Sequence, residues 1–285
     1  NSVNNRYGES ASLEEFCEKA QLLNIEDSKG MYEAWNDKMW NDASGLLIWM
    51  SNPAYPAFVW QTYDYYYDFT GTYWGVKKAC EHLHIQWNSL TNSVKVVNTG
   101  GADLQSATAI ATVYDINGNE VTSCRKQCTV AVPSASAVEA FKLDLDAASS
   151  VASPIRFIRL TLTDASGETL SNNFYWTNID EKYNYRALQN MPEAQVQVEV
   201  SDKSRLSEGI VQLTLSNEST YVAFANRVRI VNSVTGERIL PAIMSDNYVT
   251  LMPGEEATIT VEADVNAMQQ GFDVMLKQYA CSERK

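Results

Sequence analysis

The 285-residue sequence predicts a mainly β protein: two immunoglobulin-like β-sandwiches preceded by a helix-rich α/β remnant. Three observations predict it. From about residue 87 onward, short alternating strands are separated by turn signals roughly every eight to twelve residues, the signature of all-β structure. Before that point, helical periodicity, one apolar run, an aromatic stretch and a further helix make a single βα unit, with no sister units to close a sheet. Finally, a polar linker over 179–192, containing Pro192, divides the β part into two lengths of about a hundred residues, each with some seven strands. The expected domains are 1–86, 87–187 and 188–285.

The first element is marked by Ser12 and Glu15, a capping-box spacing in which each side chain serves an N–H left over at a helix start. In the helix that follows, Leu13, Phe16, Cys17 and Ala20 share one face. A second helix from about Ser28 sets Met31, Trp35 and Met39 at spacings of four. Two short helices cannot bury such stripes on each other alone, so they call for a sheet beside them. Gly45 to Met50 reads as a short buried strand. After a loop with Pro53 and Pro56, alternation from Phe58 to Tyr67 sets Trp60, Thr62, Asp64 and Tyr66 on one face and Gln61, Tyr63, Tyr65 and Tyr67 on the other. Gly71 interrupts this run, and Thr72 to Leu83 returns to helical spacing with Val76, Cys80 and Leu83 inward.

In the first sandwich the expected strands are 93–97, 108–114, 121–124, 137–145, 155–163 and 173–177, with Asn117-Gly118 and Ser166-Gly167 as hairpin turns. In the second they are 196–200, 209–216, 225–232, 238–240, 248–251, 256–263 and 272–279, with turns at Thr235-Gly236 and Pro253-Gly254. No short-period repeat joins the two.

Charge and composition exclude several classes. With 22 basic against 35 acidic residues the net charge is −13, which repels phosphate backbones, so nucleic acid and anionic membranes are not expected partners. No apolar run approaches the roughly 20 residues of a membrane span, and no leader pattern precedes Asn1. The start without Met implies a mature start or an excised piece. The five cysteines, odd in number and spread out, read as free thiols, with a Cys124–Cys128 bridge as the alternative. Cys80, His82 and His84 would tempt a metal reading, but they straddle a helix end where their side chains point apart, so no metal is expected. No phosphate loop, dinucleotide fingerprint or Gly-x-Ser-x-Gly is present, so neither a nucleotide cofactor nor a serine or cysteine triad is implied.

The informative stretch is 45–81. It holds three of the seven Trp and six of the fifteen Tyr, with only Asp64 and Asp68 as carboxylates before the next helix. Each Tyr or Trp carries a polar tip that needs a partner when buried, so an apolar core strand would not concentrate them. A wall that meets a sugar would: pyranose C–H faces lie on aromatic planes while hydroxyls need a few fixed polar groups.

Leu46-Leu47-Ile48-Trp49-Met50-Ser51-Asn52, Val59-Trp60-Gln61-Thr62-Tyr63-Asp64-Tyr65-Tyr66, Gly71-Thr72-Tyr73-Trp74-Gly75-Val76-Lys77-Lys78-Ala79 and Leu83-His84-Ile85-Gln86 resemble the last barrel strand and helix of glycoside hydrolase family 2, in its exo-β-D-glucosaminidase branch. Ser245-Asp246-Asn247-Tyr248-Val249-Thr250-Leu251-Met252-Pro253-Gly254-Glu255 is similar to a strand and turn of the terminal sandwich of the same enzymes, and Asn173-Phe174-Tyr175-Trp176 to the end of the preceding one. The resemblance implies that residues 1–86 are the last segment of a (β/α)8 TIM barrel. It implies also that the two catalytic glutamates, which end the fourth and seventh barrel strands, lie upstream of Asn1. In a retaining mechanism two carboxyls about 5 Å apart act as nucleophile and proton donor; Glu14, Glu15 and Glu81 on helices, and Asp64 and Asp68 in the aromatic run, do not offer that pair. No catalytic residue is therefore expected in this chain. By resemblance Trp49 is the last-strand Trp that floors the subsite for the non-reducing sugar; the alternative is a core Trp. Asn52, Trp60, Tyr63 and Asp64 are candidates for the same pocket. Asp64 would hold a hydroxyl or ammonium, or else be a hydrogen-bonded loop residue. Asp246, Asn247 and Tyr248 would fix a turn or dock against the barrel.

The expected function is that of the C-terminal part of a retaining exo-glycosidase removing β-linked D-glucosamine from chitosan-type oligosaccharides. Its partners would be the oligosaccharide substrate and the upstream part of the same polypeptide. A β-mannosidase of the same family is the near alternative. A non-catalytic carbohydrate-binding multi-sandwich protein is the alternative of another class. A polymer-degrading role suggests a periplasmic or secreted address, against which free thiols count mildly.

Overall fold

The computed structural model describes residues 2–57, 60–148 and 153–285. Phe58 and Val59, where the expected alternation begins, lie outside the described residues. The chain forms two compact units, one of residues 1–9, 23–49 and 75–187, the other of residues 10–22, 50–74 and 188–285.

The two helices expected before residue 40 are one, α2 (Leu13–Asp37), preceded by the short α1 (Ser2–Tyr7). Its start is the predicted cap: the Glu15 amide donates to Ser12 Oγ at 3.1 Å, and the Glu15 carboxylate reaches back to the Ala11 amide at 2.7 Å. Ser28 does not begin a new helix because its hydroxyl turns back onto the Asn24 carbonyl of the preceding turn. The expected apolar stripe is not the buried face. Leu13, Met31 and Trp35 are exposed, whereas Ser28, Lys29 and Glu33 are buried.

In the first unit, helix α3 (Gly71–Ala79) contributes its residues from Gly75 onward. A Cβ on Gly75 would run into the Ser28 hydroxyl and the Ile25 carbonyl, so this residue lets the two helix backbones approach. Among the described residues, the sandwich that follows has seven antiparallel strands. β1 (Leu83–Trp87), β2 (Ser93–Asn98) and β5 (Ser136–Lys142) form one sheet in the order β1-β2-β5. β4 (Lys126–Val132), β3 (Leu104–Asp115), β6 (Ile155–Thr163) and β7 (Thr169–Asn178) form the other, in the order β4-β3-β6-β7. Alternate residues point inward: Ile85, Trp87, Val94 and Val96 from the first sheet join Ala107, Ala109, Ala111, Val113, Ile158, Leu160 and Leu162 from the second in one core. Each fully buried aliphatic side chain there contributes roughly 1.5–3 kcal/mol.

Residues 121–124 are not a strand; a single 3-10 turn spans Thr122–Cys124. The strand is β4, which lies at its sheet's edge and so is largely exposed, leaving little apolar alternation to read. The Asn117-Gly118 and Ser166-Gly167 turns form as expected. Asp115 and Asp164 each accept backbone amides across the turn at 2.8–2.9 Å, and both glycines take the left-handed conformation, φ 86° and 88°.

In the second unit, β12 (Val249–Leu251), β10 (Ala223–Asn232) and β14 (Phe272–Lys277) pair as β12-β10-β14. β11 (Ile243–Met244), β13 (Glu256–Glu262), β9 (Ile210–Asn217) and β8 (Val196–Asp202) pair as β11-β13-β9-β8. The expected strand at 238–240 reduces to one bridge, Arg238 opposite Val231, and a short helix α4 (Val265–Gln270), capped by Asp264, precedes β14. Each sandwich has a buried Asn that ties a loop to its sheet. Asn98 donates to the carbonyls of Ala102 and Val132, and Asn217 to those of Tyr221, Leu251 and Met252. Asn247 acts in the same way: its amide accepts from Val228 N–H at 2.8 Å and donates to Val228 C=O at 2.9 Å, completing the pairing of β10 with a side chain.

No helix among the described residues is long and apolar enough to cross a membrane. The five cysteines are free thiols.

Candidate functional site

Gly45 to Met50 is not a buried strand. It runs as irregular, exposed chain with Leu47 at 96% and Trp49 at 80% exposure. The reading failed on what lies beside it: a strand needs a neighbour for its N–H and C=O groups, and no strand is paired with it among the described residues. Trp49 lies in the first unit; Asn52, Trp60, Tyr63 and Asp64 lie in the second, on the segment 50–70.

The described residues of that segment form a built loop rather than an alternating strand. The Thr62 amide and hydroxyl both donate to the Ser51 carbonyl, at 3.0 and 2.9 Å, which closes the turn carrying Asn52, Tyr55 and Trp60. Asn52 is exposed, its amide turned to the Pro53 carbonyl at 3.5 Å. Downstream, Asp64 Oδ1 accepts the amides of Tyr66 at 2.7 Å and Asp68 at 3.0 Å, while the Asp64 amide donates to the Asp68 carbonyl at 2.9 Å. This is an Asx-type turn, with Tyr67 in the left-handed region at φ 66°. Tyr63 and Phe69 are bridged across it, and Tyr63 stacks on Tyr67 with centroids 6.1 Å apart and planes 19° from parallel. Thr70 anchors the far end, donating to the Gln61 carbonyl through its hydroxyl and to the Thr62 carbonyl through its amide. Below it, Phe69 stacks on Tyr73 and meets Trp74 edge-on.

The consequence is a rigid base with bare rings. Trp60 is 60% exposed, and Tyr55, Tyr65, Tyr66 and Tyr67 are exposed as well. The arrangement offers aromatic faces for contact. Its carboxylates hold the loop: Asp64 bonds backbone amides and Asp68 bonds Arg227 and Arg238.

The first unit contains a polar cluster that sequence reasoning did not single out. Glu33 Oε1 accepts from His84 Nε2 at 2.9 Å, Asn173 Nδ2 at 2.9 Å and the Tyr175 hydroxyl at 2.8 Å. Lys29 donates to Asn173 Oδ1 at 3.0 Å and to the Phe174 carbonyl at 2.6 Å, with its ammonium 3.8 Å from the Tyr175 ring centroid. Burial opposes ionisation of Glu33, but the His84 hydrogen bond and the charge of Lys29 outweigh it and hold the carboxyl below its ordinary value. Burial likewise opposes the charged form of His84, and the bonds to Glu33 and Glu81 overcome it and raise the imidazole. Desolvation wins at Lys29, which is pushed down to about 8. The signal was present, since His84 and Asn173 both lie in the motifs quoted for the family resemblance, but nothing local joins residues 33, 84 and 173.

A cavity of about 320 Å³ opens beside this cluster, lined among others by Arg6, Glu26, Lys29, Trp87, Tyr175 and Tyr183. Its charges answer one another: Arg6 pairs with Glu26 at 2.7 Å and Asp27 at 2.9 Å, and the Tyr185 hydroxyl donates to Glu26. His82 meets Thr99 at 3.3 Å, His84 is buried on Glu33 and Cys80 is exposed, so the three have separate surroundings. Among the described residues no three His, Cys, Asp or Glu side chains are grouped to hold a metal ion. Glu81 follows α3 rather than lying on it, and bonds His84 and Lys78.

Comparison with known proteins gives a consistent result. The exo-β-D-glucosaminidase Ig-fold domain family matches residues 173–279. The exo-β-D-glucosaminidase of Hypocrea jecorina is 30% identical over 283 residues, covering 90% of this chain and 31% of that protein. The mannosylglycoprotein endo-β-mannosidase of Lilium longiflorum is 28% identical, covering 97% of this chain and 35% of that protein. In structure, the Amycolatopsis orientalis exo-β-D-glucosaminidase CsxA, described with its inhibition by a glucosamine-configured castanospermine and an amino-australine analogue, superposes with a TM-score of 0.86 at 26% identity, over 99% of this chain and 36% of that one. The chain thus spans about a third of the length of the relatives it matches. Over nine-tenths of its residues it is related to the C-terminal portion of exo-β-D-glucosaminidases, the portion that carries their Ig-fold domain.

Proposed function

We propose that this chain acts within a retaining exo-glycosidase that releases β-linked D-glucosamine from chitosan-type oligosaccharides, where it completes the sugar pocket and braces a catalytic barrel with two sandwiches. The observation that carries the reading is the loop of described residues at 60–70, whose backbone is bonded through Thr62, Asp64 and Asp68 while Trp60 and the tyrosines stand in the open. A surface that leaves this much aromatic area bare on an ordered frame is an interaction site. Exposed Leu13, Met31, Trp35 and Leu47 fit a second role, contact with barrel elements from the two-thirds of the relatives' length that this chain does not cover. On this reading Trp49 floors the subsite, Asn52, Trp60 and Tyr63 line it, and Asp64 shapes it by fixing the turn. The two reacting carboxyls come from the part not covered. A periplasmic or secreted address suits such a polymer-degrading role.

The test is turnover by the full polypeptide of aryl β-D-glucosaminide against aryl β-D-mannoside. Preference for the glucosaminide is expected. The mannoside reading is kept because a β-mannosidase relative matches almost the whole chain; preference for mannoside would favour it. The non-catalytic reading predicts sugar affinity in the isolated chain by calorimetry with no turnover by the full polypeptide.

A further inference from the structure

Asp68 closes the aromatic loop in the second unit, and its carboxylate is held from the terminal sandwich. Oδ2 accepts Arg227 Nη2 at 2.7 Å and Arg238 Nη1 at 2.8 Å. Arg227 projects from β10, and Arg238 sits opposite Val231 of the same strand, so both guanidiniums are carried by β10 and the chain bridged to it. The same residue is the loop's own keystone: its carbonyl accepts the Asp64 amide and its amide donates to Asp64 Oδ1. Arg238 also lies over the Tyr66 ring, 5.8 Å from its centroid. One carboxylate oxygen bound by two cations, all three side chains one-fifth to one-third exposed, makes a charge-assisted pair of bonds that solvent screens only in part.

We propose that Asp68, clamped by Arg227 and Arg238, is a positioning residue for the sugar site: through it the terminal sandwich sets where the rings of Trp60, Tyr63 and Tyr66 stand. The inference rests on the reading that this loop meets the substrate. It gives the terminal sandwich a role in substrate binding beyond bracing. Among the described residues only Asp68 links the sheet to the turn by ionic bonds, so removing its charge frees the loop without opening the sandwich core.

The test has two arms on the full polypeptide, with Asp68→Asn, Asp68→Glu and Arg238→Gln. In the first, amide hydrogen exchange over residues 61–70 is followed at constant melting temperature. Arg238→Gln, which removes one charge-assisted bond, is expected to speed exchange at Tyr66 and at position 68 by about tenfold, and Asp68→Asn, which takes the charge from both, by at least as much. In the second, kcat and KM are measured on an aryl β-D-glucosaminide. KM is expected to rise by about tenfold with kcat little changed, and Asp68→Glu to recover part of it. Unchanged exchange in both variants overturns the clamp. Faster exchange with unchanged KM overturns the positioning role, because the loop then moves without consequence for substrate. If the wild-type polypeptide turns over no glucosaminide, the reading of the site falls instead, while the exchange arm still decides whether the clamp holds the loop.

Discussion

Tyr175 and Trp60 are both large amphipathic rings in a polar neighbourhood, and the two regions that hold them use such side chains in opposite ways. Around Tyr175 the charged and amide tips are answered internally: Glu33, His84, Asn173 and Lys29 are joined by hydrogen bonds and the ring is buried. Around Trp60 the bonds go to the loop's own backbone and, through Asp68, to Arg227 and Arg238, and the rings are left in the open. A buried cluster whose members bond one another is a structural joint, here between α2 and the first sandwich. An ordered frame with bare rings is a surface for something else. Burial together with mutual hydrogen bonding separates the two, where amino-acid type does not.

The sharpest way to break the contrast is Glu33→Ala, which strips His84, Asn173 and Tyr175 of their shared acceptor and Lys29 of a counter-charge. It should cost about 3–5 kcal/mol, as removal of one partner of a buried ionic cluster does, read from denaturant unfolding. A cost below about 1 kcal/mol, the range of an exposed pair, would mean that the cluster is no joint.

The opposite behaviour is expected of Trp49→Ala and Trp60→Ala. Each should leave stability within about 0.5 kcal/mol while lowering kcat/KM of the full polypeptide on glucosaminide roughly thirtyfold, the loss of an aromatic anchor worth about 2 kcal/mol. Loss of stability with activity intact would turn the ring surface into packing.

pH sharpens the joint's side of the comparison. His84 is raised in the folded state, so its contribution is complete below the ordinary imidazole value of 6.5 and fades as pH rises through the raised one. Glu33 is lowered, so its contribution is present above 4.5 and fades as pH falls through the lowered value. Lys29, down at about 8, carries a burial cost while charged that is relieved between about 8 and 10.5. His84 should therefore lower unfolding midpoints as pH rises above 6.5 and through its raised value, and Lys29 should raise them between about 8 and 10.5. His84→Gln should flatten the decline and leave the recovery; an unchanged profile would remove His84 from the account. The smallest effect belongs to the exposed Arg205–Glu208 pair, where Arg205→Gln should not move the melting temperature measurably, which separates ionic bonds made in water from those of the cluster.

Much of the β part was legible because alternation reports burial directly. β2, β6, β9 and β13 lie within a few residues of where Val96, Leu160, Leu213 and Ile259 place them. The edge strand β4 was not, since an edge has little apolar pattern to show. In the helical part periodicity misled: Met31 and Trp35 form a stripe that stands exposed, while the face of α2 that is buried carries Lys29 and Glu33. Apolar spacing shows which residues seek cover, and they find it only if the covering element is present. The same holds at Trp49, whose expected strand lacks a partner among the described residues. Of the site, the aromatic loop was visible as composition. Asp64 as a hydrogen-bonded loop residue was one of the two roles open to it in the sequence, since its donors are the amides of Tyr66 and Asp68 close by. The part played by Asp68 as a clamp was not visible, because its donors Arg227 and Arg238 lie far away in the chain.

What the sequence by itself determined is whatever short-range chemistry decides: the cap at Ser12 and Glu15, the turns at Gly118 and Gly167, the strand faces, and a dense band of indole and phenol. Only the tertiary structure decided which polar groups meet. Glu33 with His84 and Asn173, and Asp68 with Arg227 and Arg238, are joined across 51 to 170 residues of chain, and no local propensity encodes a hydrogen bond made at that range.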